Sequence, residues 1–73
     1  MAELPPEIKK MAAIATSMEY PSKLRGEAIE SIGRIGTHEA LLALLEMAGN
    51  EGITKQDREL ALKHATKIVK SGH

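Results

Sequence analysis

Residues 24–45 read LRGEAIESIGRIGTHEALLALL, and this stretch decides the fold. Apolar residues recur through it at the three- and four-residue spacing of a helix face, both before and after Gly36-Thr37. Glycine commonly ends a helix, and threonine commonly caps the next one. The stretch therefore predicts two helices with a very short connection, and helices joined in this way pack beside each other.

The chain matches itself at an offset of 33 residues without a gap. In this alignment Arg25 falls on Arg58, and apolar positions fall on apolar positions. A fixed period of roughly 20–50 residues is typical of proteins built from stacked repeats. We therefore expect one unit of two helices to occur twice. The aligned apolar pairs are Ile8 with Leu41, Met11 with Leu44, Ala12 with Leu45, Ile14 with Met47, Ala15 with Ala48, Ala28 with Ala61, Ile29 with Leu62, Ile32 with Ala65 and Ile35 with Ile68.

Helical periodicity extends over most of the chain, and no stretch alternates apolar and polar residues as a strand would. The sequence therefore predicts an all-α protein. The predicted helices cover about 5–17, 22–35, 38–48 and 55–70. Their predicted buried faces are Ile8, Met11, Ala12 and Ala15; Leu24, Ala28, Ile32 and Ile35; Leu41, Leu44, Leu45 and Ala48; and Ala61, Ala65 and Ile68.

Short polar residues mark the predicted helix starts. Ser22 and Thr37 are predicted N-caps, and Thr54 with Asp57 three residues later is a predicted capping box. Gly33 interrupts the second helix, where glycine costs about 1 kcal/mol relative to alanine. Either a close approach of another helix or simple tolerance explains a glycine at this position.

Composition limits the possible classes of protein. The 73 residues suit one domain over residues 1–73, with ten basic and ten acidic side chains, one aromatic residue and no cysteine. A chain this short needs very regular helix packing or self-association, since neither disulfides nor thiolate zinc sites are possible. No apolar run is long enough to span a membrane, and the first residues lack the pattern of a secretory signal. We therefore expect a cytoplasmic protein.

The stretch 24–45 resembles the HEAT-like repeat, in the short form first described from phycobilin lyases. The second occurrence, from Arg58 to Val69, is weaker, because Thr66 replaces Gly33 and Val69 replaces Gly36. The residues that match the family pattern are Arg25, Ala28, Ile32, Gly33, Ile35, Gly36, Ala40, Leu41 and Leu44.

This resemblance implies a four-helix, right-handed α-solenoid fragment made of two HEAT-like repeats, over about 4–36 and 37–69. It implies outer helices at 22–36 and 54–71, and inner helices at 5–17 and 37–48 that line a concave surface. Proteins of this family serve as scaffolds, as lyase chaperones and in a few cases as enzymes, so the fold alone does not define the function.

We expect neither a catalytic site nor a metal or cofactor site. HEAT-like iron hydroxylases hold two metals with His-Glu pairs that directly follow the repeat arginine. The dipeptide His38-Glu39 lies instead in a turn between helices, and the three histidines lack metal-ligand spacing. The four serines lack the glycine pattern of a nucleophile elbow.

The sequence favours a non-catalytic protein-binding or scaffold module, with a partner that it does not identify. Apolar residues beyond the predicted buried faces suggest a partner-binding patch of Ile14, Met18, Leu42 and Met47 on the concave surface. Alternatively, these side chains pack against the neighbouring repeat.

Two further partners remain open. A homodimer through one end of the stack would cover helices that have no neighbour. A nucleic acid is the alternative partner, bound through the phosphates by Lys63, Lys67 and Lys70, although zero net charge and a single aromatic residue make it the less favoured one.

Overall fold

Four helices form in the computed structural model, which describes residues 4–72. They are α1 (Pro6–Ala15), α2 (Ser22–Ile35), α3 (His38–Ala48) and α4 (Lys55–Lys70). No strand occurs within this part of the chain, so the prediction of an all-α fold is confirmed. Residues 1–3 and 73, which the predicted single domain includes, lie outside the described residues.

Threonine and glycine set the helix ends around α3 and α4 as the sequence predicts. The Thr37 hydroxyl accepts a hydrogen bond from the Ala40 N–H at 3.2 Å, and Thr54 accepts one from the Asp57 N–H at 3.1 Å. The predicted capping box is only half formed, because the Asp57 carboxylate binds Arg25 instead of the Thr54 N–H. Gly36 ends α2 with φ at 68°, a left-handed conformation that glycine adopts without a steric penalty.

Two predicted details of the helix ends are wrong. Ser22 is the first residue of α2, and Pro21 occupies the cap position without a side-chain bond, because proline's fixed φ suits the start of a helix. Helix α1 ends at Ala15 instead of continuing to Ser17. Its last turn tightens where the Thr16 hydroxyl donates to the Ala12 carbonyl at 2.8 Å and the Ser17 N–H donates to the Ile14 carbonyl.

The helices pack as two pairs. Helix α1 packs mainly on α2, and α3 packs mainly on α4; between the pairs, α2 contacts both α3 and α4, and α1 contacts α3. The smallest contact is that between α1 and α4. Each helix of the first pair therefore lies beside its counterpart in the second pair.

One apolar core joins the four helices. It is built almost entirely from alanine and branched aliphatic side chains, so the helices approach each other closely. Its members are Ile8, Ala15, Ala28, Ile29, Ile32, Ala40, Leu41, Ala43, Leu44, Met47, Ile53, Ala61, Ala65 and Ile68.

The buried face of α2 is rotated relative to the prediction. Leu24 and Ile35 are exposed, and Arg25 and Ile29 are buried instead. The reason is that α2 is covered from two sides, by α1 and by α4, so its buried arc is centred between them. In α3 the predicted core residue Leu45 is likewise exposed.

Gly33 on α2 faces His64 on α4 at close range. A Cβ atom added there would lie 2.6 Å from the His64 Nδ1 atom and 3.0 Å from the His64 Cβ atom, a severe overlap. Of the two interpretations of this glycine, close approach is therefore the correct one. Gly26, on the same helix, has more room, with the Leu60 Cδ2 atom 3.7 Å from the corresponding position.

We expect Gly33→Ala to lower the free energy of unfolding by about 1–2 kcal/mol, because overpacking outweighs the better helix propensity of alanine. Gly26→Ala is the matched control and should raise it by up to about 1 kcal/mol, because its new methyl group makes an ordinary contact. Urea unfolding followed by circular dichroism measures both changes. Stabilisation by both substitutions would contradict the close contact between Gly33 and His64.

Candidate binding surface

Two arginines at equivalent positions make the same local hydrogen bond. The Arg25 Nη1 atom donates to the Tyr20 carbonyl at 2.6 Å, and the Arg58 Nη1 atom donates to the Ile53 carbonyl at 2.8 Å. Each carbonyl lies five residues before its arginine, so both donors and both acceptors are 33 residues apart. We call this bond the arginine clasp; it reproduces the sequence repeat in side-chain geometry.

Arg25 also binds the second pair of helices. Its Nε atom donates to the Asp57 carboxylate on α4 at 2.9 Å, and both side chains are less than a tenth exposed, at 9% and 8%. Removing two charges from water is costly, and a charge-assisted hydrogen bond of good geometry offsets that cost. Arg25 thus has two hydrogen-bond partners. Among the described residues, every buried polar side-chain atom has a hydrogen bond.

Arg58 keeps the clasp but has no second partner. Within residues 4–72 its bond to Ile53 is its sole side-chain hydrogen bond, and no ion pair involves it. The side chain is also partly exposed, whereas Arg25 is buried. The Nε–H of Arg58 is therefore available to an acceptor from outside this part of the chain.

The apolar neighbours of the two arginines differ in the same way. Ile29 is fully buried in the apolar core, at 0% exposure, while its counterpart Leu62 is 53% exposed. Ala12 is partly buried, while its counterpart Leu45 is exposed. The side of α3 and α4 that corresponds to the buried side of α1 and α2 is thus open to solvent.

This open side forms a continuous surface along α4, which we call the end face. A shallow hollow near the start of α4 is lined by Ala48, Lys55, Arg58, Glu59 and Leu62. A second hollow follows along the helix, and the two share Glu59 and Leu62. The second is lined by Glu59, Leu62, Lys63, Thr66, Lys67 and Lys70.

The end face is strongly basic although the whole chain has no net charge. Glu59 is its one acidic side chain, because Asp57 is turned inward to Arg25. Five basic side chains line the two hollows, namely Lys55, Arg58, Lys63, Lys67 and Lys70. This imbalance favours partners with negative charge.

The four residues predicted to form a partner-binding patch differ in their exposure to solvent. Met47 is only 3% exposed and belongs to the core, although it also borders a groove lined by residues of α1 and α3. Ile14 is partly buried and packs against that core. Met18 and Leu42 are about half exposed and remain available at the surface.

A groove between α1 and α3 contains only part of that predicted patch. Met47 contributes to its lining, beside Ala13 and Ala43, but Ile14, Met18 and Leu42 do not. Inspection of apolar periodicity missed the end face. The sequence does align Leu62 with Ile29 and Arg58 with Arg25. In a stack of two repeats the second repeat has no following repeat to cover it, so its copies of these residues are the exposed ones.

His64 packs beside Gly33, and its surroundings disfavour the charged imidazolium form. Burial lowers the pKa of His64 below the ordinary 6.5, and the positive charges of Lys67, Lys63 and Arg34 lower it further, while Glu30 opposes them. Between about pH 6.5 and the lower folded-state pKa, the unfolded chain binds a proton that the folded chain does not.

We therefore expect protonation of His64 to leave the free energy of unfolding unchanged above about pH 6.5 and to lower it as the pH falls below that value. His64→Gln should remove this contribution, whereas His38→Gln should retain it. Melting temperatures at about pH 7.5 and about pH 5.5 measure the effect in a range where most carboxylates stay ionised. An equal pH dependence in wild type and His64→Gln would contradict this assignment.

No three His, Asp or Glu side chains lie close enough to hold a metal ion among the residues that the structure describes. None of the helices in that part of the chain is both long and apolar enough to cross a membrane. Comparison with known proteins found no matching family model, curated protein or solved structure.

Proposed function

We propose that this chain is a non-catalytic protein-binding module in which two HEAT-like repeats stack as a fragment of an α-solenoid. The two arginine clasps support the assignment of repeats, because they occur at the same offset as the sequence match. The packing of α1 beside α3 and of α2 beside α4 supports a stacked arrangement.

The exposure of Leu62 is the observation that carries the binding role. The equivalent Ile29 of the first pair of helices is completely buried in the core that the two pairs share. The second pair leaves Leu62 in water, next to an arginine with unused donors. An exposed apolar side chain beside an arginine with donors free for a partner is typical of the centre of a protein interface.

A second surface for a protein partner is the exposed part of the predicted patch. Met18 and Leu42 are large apolar side chains that solvent reaches, and methionine adapts to partners of different shape. Met47 cannot serve as a test position there, since a charge introduced at a buried site would unfold the chain.

Nucleic acid is the alternative partner, and one observation favours it. Lys63, Lys67 and Lys70 line a single hollow, where they could reach phosphate groups. The same hollow contains Glu59 and the apolar Leu62, neither of which suits a phosphate backbone. Protein is therefore the better-supported class.

Affinity capture with the intact chain tests the proposed function, followed by reconstitution of binding from the purified partner. We expect a protein that survives nuclease treatment and rebinds when pure. Baits with Leu62→Glu, Leu42→Glu and Met18→Glu then locate the surface, with Lys10→Glu as an exposed control. Retention of nucleic acid alone, or of no molecule that rebinds when pure, would overturn the proposal.

Self-association is a separate possibility that the same purified material tests. A homodimer would show a sedimentation coefficient that rises with concentration. Sedimentation as a single chain from micromolar to millimolar concentration would exclude it.

A further inference from the structure

We propose that the end face binds an acidic helix of a protein partner, and that a carboxylate of this helix pairs with Arg58 as Asp57 pairs with Arg25. The proposal rests on the proposed protein-binding function and specifies its surface and the chemistry of its partner. Two observations support it: Arg25 and Arg58 make the same bond at equivalent positions, and the end face along α4 carries an excess of basic side chains.

The contact between α2 and α4 is the template for this complex. There, one guanidinium donates from Nη1 to its own clasp carbonyl and from Nε to a carboxylate of the neighbouring helix. Arg58 already makes the first of these bonds, so its side chain is oriented before any partner binds. The second bond requires a carboxylate from a helix that packs on α4 as α4 packs on α2.

Charge complementarity indicates an acidic helix in preference to a second copy of this chain. Two end faces brought together would oppose five basic side chains and one acidic side chain with the same set, which is repulsive. A head-to-tail stack is also unsuited. It would bring the first pair of helices to Arg58, and Leu24 stands there at the position equivalent to Asp57.

The partner helix must also carry a smaller side chain than α4 does at the position of His64. Gly33 allows α4 to approach α2, and its counterpart on the end face is Thr66. A side chain as large as His64 would therefore collide with Thr66. We infer a helix with a small residue at that point and with carboxylates that reach Lys63 and Lys67.

A synthetic helix derived from α4 provides a defined probe. It has the sequence of residues 54–71 with Lys63, Lys67 and Lys70 replaced by glutamate and His64 replaced by alanine. Asp57 is retained, so the peptide presents a carboxylate in the context that Arg25 recognises. The control peptide differs by Asp57→Asn alone. Fluorescence anisotropy measures the binding of each peptide to the intact chain.

We expect the acidic peptide to bind, and its Asp57→Asn form to bind about tenfold more weakly. Arg58→Gln in the protein should weaken binding of the acidic peptide by a similar factor and have little effect on the control peptide. An effect of Arg58→Gln that depends on the peptide carboxylate indicates a direct contact between the two groups. Loss of the arginine clasp alone would weaken both peptides equally. Leu62→Ser should weaken both peptides, while Lys23→Gln, a cation on α2 outside the end face, should leave both unchanged.

Three results would overturn the proposal. The first is no binding of the acidic peptide up to about 1 mM. The second is an Arg58→Gln effect that is equal for the two peptides. The third is a single-stranded oligonucleotide that binds more tightly than the peptide and with the same dependence on Leu62, which would assign the surface to nucleic acid.

The capture experiment separates failure of this proposal from failure of the proposed function. A partner that rebinds equally to wild type, Arg58→Gln and Leu62→Glu would preserve the binding role and exclude the end face. Absence of any partner that rebinds would remove the binding role itself.

Discussion

Asp57→Asn is expected to lower the free energy of unfolding by about 3–5 kcal/mol. The substitution keeps the shape of the side chain and the backbone N–H that Thr54 caps, but it leaves the buried guanidinium of Arg25 without its counter-charge. A domain of this length has about 4–11 kcal/mol of stability in total. The variant should therefore be largely unfolded or close to its unfolding transition in water.

Two controls identify the cause of that loss. Glu59→Gln removes an exposed acid two residues away on the same helix and should change stability by less than about 0.5 kcal/mol. The double variant Arg25→Met with Asp57→Leu should recover most of the stability, since an apolar pair can replace a buried ion pair. Urea unfolding measures all three. A loss below about 1 kcal/mol for Asp57→Asn would mean that the pair is solvated.

Alanine substitutions at Ile29 and Leu62 should have very different effects, although the two positions are equivalent in the repeat. Ile29→Ala should cost about 2–5 kcal/mol, because it leaves a cavity in the apolar core. Leu62→Ala removes a side chain that is 53% exposed and should cost less than about 1 kcal/mol in the isolated chain. Chemical unfolding of the two variants under the same conditions gives the comparison.

The difference between the two losses of stability would show that Ile29 is covered by other helices and that Leu62 is not. Similar losses at both positions would show that Leu62 is covered in solution, for example by self-association. In that case the loss at Leu62 should fall on dilution, whereas the loss at Ile29 should not.

The sequence predicted the helices well because their ends depend on local chemistry. Thr37, Thr54 and Gly36 act on backbone groups within four residues, so their effect is visible without knowledge of the tertiary fold. Ser22 was assigned wrongly for a local reason too, since Pro21 can begin a helix without a hydrogen-bonding side chain.

The orientation of the helices could not be predicted from periodicity alone. Leu24 and Arg25 are adjacent, and apolar periodicity favours burial of the leucine. The structure buries the arginine instead, because α4 supplies a carboxylate 32 residues further along the chain. A pairing over that distance depends on how the two pairs of helices stack, which no local pattern specifies.

The exposure of the side chains in the predicted patch could likewise not be predicted in full, because it depends on how the helices pack. Met18 and Leu42 are exposed as a binding patch requires, but Met47 is buried in the core. The lysines near the end of α4 were recognised in the sequence, whereas the free donors of Arg58 were not. Its unused donors become evident only when its bonds are compared with those of Arg25.

Hydrogen exchange of the arginine Nε–H groups, measured by NMR on the intact free chain, tests the central claim most directly. The chain contains three arginines, and the exposed Arg34 serves as the reference for a solvated group. We predict that the Nε–H of Arg25 exchanges slowly and loses its protection in Asp57→Asn, while that of Arg58 exchanges nearly as fast as that of Arg34. Equal protection of Arg25 and Arg58, or exchange of Arg25 at the rate of Arg34, would contradict the account of two equivalent arginines with one acid site filled and the other open.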